Sequence, residues 1–289
     1  NSFYRQRRSQ YEKEKAQFGK VQRICVEKNG ERLCKKDFLP QPLYGDKKFR
    51  DNVGRNTVET IRLKSREQDY ETREETKVLR TNLLFCGSDK KVILVTSCLA
   101  GEGKSTITMN LAKSLAEIKK KVLLIDVDLR KSVLGHQVNG ERPKKGLTHY
   151  LSGQASIADI IYLNEDPKFH IIFAGPLPPN PAELLASKAF ERLIQKCREA
   201  YDYILLDCAP LGMVVDAAVV AAYSDAAILT IESGNISYRF AREVKQKLEH
   251  TGCPILGVAL NKIDRKKTGR YYGKKYEKYY KKYYRSEEK

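Results

Sequence analysis

No stretch of about 18 consecutive apolar residues occurs in the 289-residue chain, so these residues contain no membrane-crossing helix. Histidine is scarce. His136, His149, His170 and His250 are the only four, and their dispersal offers no metal-ligand spacing. The seven cysteines form no Cys-x-x-Cys pair. Cys86, Cys98, Cys208 and Cys253 lie in or beside apolar runs, where a free thiol behaves as a small hydrophobe. An odd number of scattered cysteines suits a reducing compartment better than a disulfide framework. Acidic residues are short overall, leaving a net charge of +18. Residues 1–75 hold 19 basic against 13 acidic side chains, residues 76–264 hold 24 against 20, and residues 265–289 hold 11 against 3. The middle has the balance of an ordinary globular domain, whereas the basic ends favour anionic partners or are simply solvated tails.

What is present centres on Val95 to Thr106. The apolar run Val92–Val95 reads as a buried strand, Gly101-Glu102-Gly103 as a turn, and 107–118 as an amphipathic helix. Strand, glycine turn and helix, with Lys104-Ser105-Thr106 at the helix start, is the context of a phosphate-binding loop. Glycines let backbone N–H groups approach phosphate oxygens at the helix N-terminus. Lys104 is then placed for β- and γ-phosphates and Ser105 for Mg²⁺. The loop is deviant: Cys98 stands where the strict pattern has glycine.

Downstream, Val122-Leu123-Leu124-Ile125 ends in Asp126 and Asp128. Two residues apart on an extended strand end, these carboxylates share a side. A right-handed crossover makes this strand parallel to the first, bringing both acids to the phosphate edge of the sheet. They are candidates for metal or proton chemistry, the alternative being solvated acids. Tyr203–Asp207 is a third buried strand, with Asp207 either a Mg²⁺-associated acid or a helix cap near Pro210. Residues 131–168 read as loop and short helix, 169–174 as strand, and 181–200 as one helix with Asn180 as N-cap and Pro181 first. Helix 214–222, strand 225–231, helix 237–250 and strand 254–260 follow, and Asn261 closes the last strand as a nucleotide-base contact. Ahead of the loop, 71–85 is helical, with Glu74, Lys77 and Arg80 on one face. That face is either an interaction surface or solvated charge.

Residues 1–70 are polar and weakly periodic. Beyond Arg265 the chain changes character: Tyr271, Tyr272, Tyr276, Tyr279, Tyr280, Tyr283 and Tyr284 are seven tyrosines within fourteen residues, interleaved with Lys and Arg. Without aliphatic residues this tail cannot bury a core and is expected to be disordered. Three readings compete: stacking on single-stranded bases, lying on anionic lipid, or accepting phosphate. Each phosphotyrosine adds roughly −1.5 to −2 charge, so modifying all seven reverses the sign of the tail.

In these residues the chain resembles the bacterial tyrosine kinases of capsule and exopolysaccharide synthesis, over their cytoplasmic catalytic region. The resemblance runs from about Glu74 to Lys289. It is carried by Leu79-Arg80-Thr81-Asn82, the Walker A run Gly101 to Thr106, and Leu124 to Arg130. It continues through Gly175 to Leu185, Ile204 to Asp207 as Walker B, and the tyrosine cluster. It implies that Gly101, Glu102, Gly103, Lys104, Ser105 and Thr106 bind ATP, and that Ser105, Asp128 and Asp207 organise Mg²⁺. Asp126 is then the base toward tyrosine, so the catalytic set is Lys104, Asp126, Asp128 and Asp207. A Glu-x-x-Arg-x-x-Arg helix assembles a ring in this family, in which one subunit phosphorylates its neighbour's tail. Here the match is Glu74, Lys77 and Arg80, with Lys77 where the family carries Arg. Cys208-Ala209-Pro210 stands where the family has Thr-Pro-Pro. The partners implied are further copies of the chain, a membrane-borne activator segment (fused or separate), a cognate tyrosine phosphatase and polysaccharide-assembly proteins, at the cytoplasmic side of the membrane.

The expected architecture is a doubly wound, mostly parallel α/β sheet of the phosphate-loop class. Its parts are a basic juxtamembrane-type linker over 1–70, a kinase domain over 71–264 and the tail over 265–289. Two rival classes share the core. A partition-type ATPase carries an early loop lysine where this chain has Leu99. A nucleotide-gated scaffold would bind membrane or polyanion through the tail, without need of the intact Lys104, Asp126, Asp128 and Asp207. No specific nucleic acid is expected as partner.

Overall fold

The computed structural model describes residues 58–64 and 69–263; the tyrosine cluster and most of the expected linker lie outside them. The strands are β1 (Glu59–Ile61), β2 (Val92–Ser97), β3 (Val122–Asp126), β4 (Ile161–Asn164), β5 (Phe169–Ile172), β6 (Tyr203–Asp207), β7 (Ala226–Glu232) and β8 (Ile255–Asn261). They form one sheet in the order β1-β4-β5-β3-β6-β2-β7-β8. From β5 to β8 all neighbours are parallel, while β4 runs antiparallel to β5 and carries β1 with it.

Continuous apolar runs become the central strands because both faces of the sheet are covered. Val92 and Leu94 face one layer and Ile93 and Val95 the other. The first layer contains α5 (Lys188–Ala200), α6 (Asp216–Ala221) and α7 (Tyr238–Glu249), through Phe190, Leu193, Val220, Val244 and Leu248. The second contains α1 (Tyr70–Phe85) and α2 (Lys104–Glu117), through Leu83, Met109, Leu111 and Leu115. Phe190 and Leu115 are fully buried, each contributing about 1.5–3 kcal/mol of transfer free energy. Short polar side chains set the helix starts: Asp69 accepts from Thr72 N, Ser187 from Phe190 N and Ser237 from Phe240 N. Each satisfies a donor that the first turn leaves open.

Three expectations change. The helix expected over 181–200 is two, α4 (Pro181–Leu185) and α5, because the Ser187 cap restarts the helix. Asn180 is the N-cap of α4 and Pro181 opens it, as expected; the Asn180 side chain does not bond the helix backbone, its amide Nδ2 donating to Glu183 Oε2 at 2.7 Å instead. The stretch 131–168 holds α3 (Leu147–Leu151) and also β4, an unexpected strand. Finally, β1 draws Glu59–Ile61, within the expected linker, into the sheet. Asn164 accepts from Leu63 N at 3.2 Å and donates to Pro167 O at 2.8 Å, tying this edge together. Among the described residues no helix is long and apolar enough to cross a membrane.

Candidate active site

The ends of β2, β3 and β6 meet at one edge of the sheet, where the strand order departs from chain order and open α/β folds bind ligands. Asp207 lies in register with Val95 on one side and Asp126 on the other. From β2 the chain turns through Cys98 to Gly103 into α2. Gly101 and Gly103 have φ of 86° and 89°, the left-handed region that glycine alone enters without strain. A Cβ on Gly103 would also stand 2.1 Å from Asn261 Nδ2. Cys98 is buried and is not among the residues at positive φ, so the backbone there does not need glycine. The close approach is supplied by Gly212 instead, where a Cβ would lie 2.1 Å from the Cys98 carbonyl oxygen. Burial, with Glu102 nearby, pushes the Cys98 thiol up to about 12, an inert packing thiol rather than a nucleophile.

Lys104 occupies the focus of the site. Its Nζ is 3.0 Å from Asp128 Oδ2, 3.4 Å from Asp207 Oδ1 and 3.3 Å from Ser105 Oγ. Burial by itself would lower the lysine, but Asp207 and Asp128 outweigh it and hold the ammonium raised. Asp126 lies deeper. Its Oδ2 accepts from Ser132 Oγ at 2.5 Å and its Oδ1 from Asp128 N at 3.2 Å. Burial first, and the Asp207 charge second, push its carboxyl well above the usual carboxylate range. Asp207 is raised as well, chiefly by burial, with Lys104 and Ser105 opposing. Carboxylates held close with too little countercharge have a raised proton affinity and bind cations readily. Among the described residues no group of three His, Cys, Asp or Glu side chains is arranged to hold an ion by itself. Asp128, Asp207 and the Ser105 hydroxyl form a sparse oxygen set, which suits Mg²⁺ completing its shell with phosphate and water.

The remaining expected residues take mixed positions. The Glu102 side chain turns away from any phosphate: it is fully buried, accepts from Leu99 N at 2.6 Å and from Glu232 N at 3.0 Å, and pins the loop to the end of β7. Asn261 donates to Glu102 O at 2.8 Å, packing on the loop from β8. Thr106 is exposed. On α1, Lys77 pairs with Glu74 at 2.7 Å on the surface. Arg80 does not share that free face: its guanidinium donates to Ser114 O at 2.9 Å and Oγ at 3.0 Å, on α2. Two contributors carried no signal of their own in the sequence. Ser132 reaches back to Asp126, and Arg130 forms a bidentate pair with the fully buried Asp216 at 2.7 and 2.9 Å.

Comparison with known proteins bears on the fold and the family. Residues 90–250 match the AAA domain family. The tyrosine-protein kinase CpsD of Streptococcus agalactiae is 39% identical over 197 residues, covering 68% of this chain and 86% of that protein. The crystal structure of the VpsO kinase domain superposes with a TM-score of 0.61 at 38% identity, over 68% of this chain and 98% of that one. The septum site-determining protein MinD of Pyrococcus horikoshii, solved with Mg-ADP, shares the core at a TM-score of 0.52 and 28% identity, over 61% of this chain and 71% of that one. With the phosphate-loop fold, the three strand-end carboxylates and these relatives together, the chain belongs to the bacterial tyrosine kinase family.

Proposed function

We propose that this chain transfers the γ-phosphoryl group of ATP to tyrosines of its own C-terminal cluster, in trans within an oligomer, and so regulates polysaccharide polymerisation and export. The observation that carries the reading is Lys104 held between Asp128 and Asp207, with Asp126 the register partner of Asp207 on β3. The loop amides and Lys104 bind the phosphates, and the Lys104 charge compensates the γ-phosphoryl oxygens. Ser105, Asp128 and Asp207 would hold Mg²⁺, which would supply charge neutralisation on the phosphates. Asp126, already of raised proton affinity, accepts the phenolic proton of the incoming tyrosine, and Ser132 holds the receiving carboxylate in place. The partition-ATPase alternative is disfavoured by Leu99 at the early loop position, whose backbone N–H is tied to Glu102.

For assembly, Glu74 and Lys77 are the exposed pair that a neighbouring copy could meet, with Arg80 bracing α1 against α2. A membrane-borne activator, a cognate phosphatase and location at the cytoplasmic face of the membrane complete the proposal, the basic ends suiting an anionic surface.

The test is intact-mass spectrometry of phosphatase-treated protein with Mg²⁺ and ATP, beside Lys104→Met. A ladder of phosphate additions mapping to 271–284 and absent in the variant is expected. Nucleotide binding without any additions, at high protein concentration and with a candidate activator present, would overturn the reading.

A further inference from the structure

A cavity of roughly 200 Å³ opens between the chain following β3 and the chain following β5, lined by Ser132, His136, Arg142, Lys144 and His149 with Phe173 and Pro176. Its lining includes two permanent cations, two imidazoles and no carboxylate. The rings are oriented by their partners. Arg142 can only donate, so its contact of 3.0 Å makes His136 Nδ1 the acceptor. His149 Nδ1 accepts from Gly146 N at 3.1 Å. With Nδ1 accepting in both rings, Nε2 is the nitrogen left to donate. Such a set of donors matches a phosphate monoester dianion, and Arg142 can engage it in bidentate fashion. The cavity is also coupled to the candidate base: Ser132, in its wall, is the residue whose hydroxyl donates to Asp126.

We propose that this cavity binds the phosphoryl group of a phosphotyrosine in the C-terminal cluster and thereby presents the next tyrosine to Asp126. The inference rests on the tail-phosphorylation reading above. The unmodified tail, with 11 basic against 3 acidic residues, is repelled by Arg142 and Lys144. One phosphotyrosine, adding roughly −1.5 to −2 charge and three acceptor oxygens, turns that repulsion into attraction. Tyr276, Tyr279, Tyr280, Tyr283 and Tyr284 follow one another at spacings of three, one, three and one residues. An acceptor therefore lies within about 10 Å of chain from any modified neighbour. The first addition is then slow and later ones fast, so the cluster fills processively.

The test uses the full chain, phosphatase-treated, and a labelled peptide of residues 276–284 with phosphotyrosine at position 279 or with no modification. Binding to the Lys104→Met protein needs no catalysis. The phosphopeptide is expected to bind about tenfold tighter than the unmodified peptide, and Arg142→Ala with Lys144→Ala is expected to erase that difference. In a second arm, on a protein with intact Lys104, the same double substitution removes the repulsion and should not slow the first phosphate addition. It should also convert a jump to multiply modified species into a stepwise ladder. Equal affinity for the two peptides, or a preference that survives the double substitution, overturns the proposal. So does competition by inorganic phosphate at the concentration where phosphopeptide competes, which would make the cavity a general anion site. Failure of the kinase reading would look different: no phosphate incorporation by the intact chain, whatever the peptides do.

Discussion

Asp126 and Asp207 face each other in register on adjacent parallel strands, two fully buried carboxylates sharing a neighbourhood with Asp128 and a single lysine. The arrangement costs stability, because burial disfavours ionising Asp126 and Asp207 together. Asp126→Asn is therefore expected to stabilise the fold while lowering phosphate transfer by about 10²–10⁴, the range of a lost general base. The sign follows from the raised carboxyl. Its ionisation is disfavoured in the fold, so stability falls as pH rises above the unfolded value of about 3.9. The gain in melting temperature, about 2–4 °C for each kcal/mol, should be present at pH 7 and vanish below about pH 4. Scanning calorimetry at both pH values checks it; a lower melting temperature at pH 7 would refute the strain.

Glu102 makes a different demand, since both carboxylate oxygens receive backbone N–H groups from separate parts of the fold. Glutamine at this position points an NH₂ at one of those donors. Glu102→Gln is expected to cost about 1–3 kcal/mol and to raise the KM for ATP several-fold by loosening the loop. Thermal melts with and without nucleotide measure both effects. An unchanged melting temperature would remove the pinning role.

At Gly103 two penalties coincide, a φ of 89° and a contact of 2.1 Å between an added Cβ and Asn261 Nδ2. Gly103→Ala should abolish nucleotide binding. Adding Asn261→Ala removes the clash but leaves the left-handed backbone, worth about 1–2 kcal/mol. The double variant is thus expected to regain part of the affinity in calorimetric titration with a non-hydrolysable ATP analogue. Full recovery would show that the clash alone mattered, and no recovery that the conformation alone did.

On α1, the exposed Glu74–Lys77 pair yields a prediction about assembly. Arginine offers a planar bidentate fork that lysine lacks, so Lys77→Arg should raise the oligomer fraction at fixed concentration and Glu74→Ala should lower it. Light scattering after size-exclusion chromatography reads this directly. If neither substitution moves the distribution, α1 is not the contact surface.

Much of this protein was legible in its residues. Apolar runs ending in Asp126 and Asp207 predict buried parallel strands, because only strands covered on both faces lack polar alternation. Gly101, Gly103 and Lys104 predict the loop, because that backbone path admits few other residues. The seven tyrosines lead to the expectation of a tail without a core, since the segment has nothing aliphatic to bury, but that segment lies outside the described residues. Tertiary structure decided what depends on residues distant in the chain. Glu102 reads as a phosphate-loop residue until Leu99 and Glu232 claim its two oxygens. Cys98 reads as a departure until Gly212 provides the space. Arg80 reads as part of an interaction face until Ser114 takes its guanidinium. The strands β1 and β4 exist because β5 pairs β4 antiparallel, β4 pairs β1 in parallel and Asn164 ties the edge together, while three or four residues of mixed polarity carry no period of their own. Local periodicity and turn chemistry act through neighbours in sequence. Which oxygen receives which N–H is settled only when the sheet brings segments up to 159 residues apart to one edge.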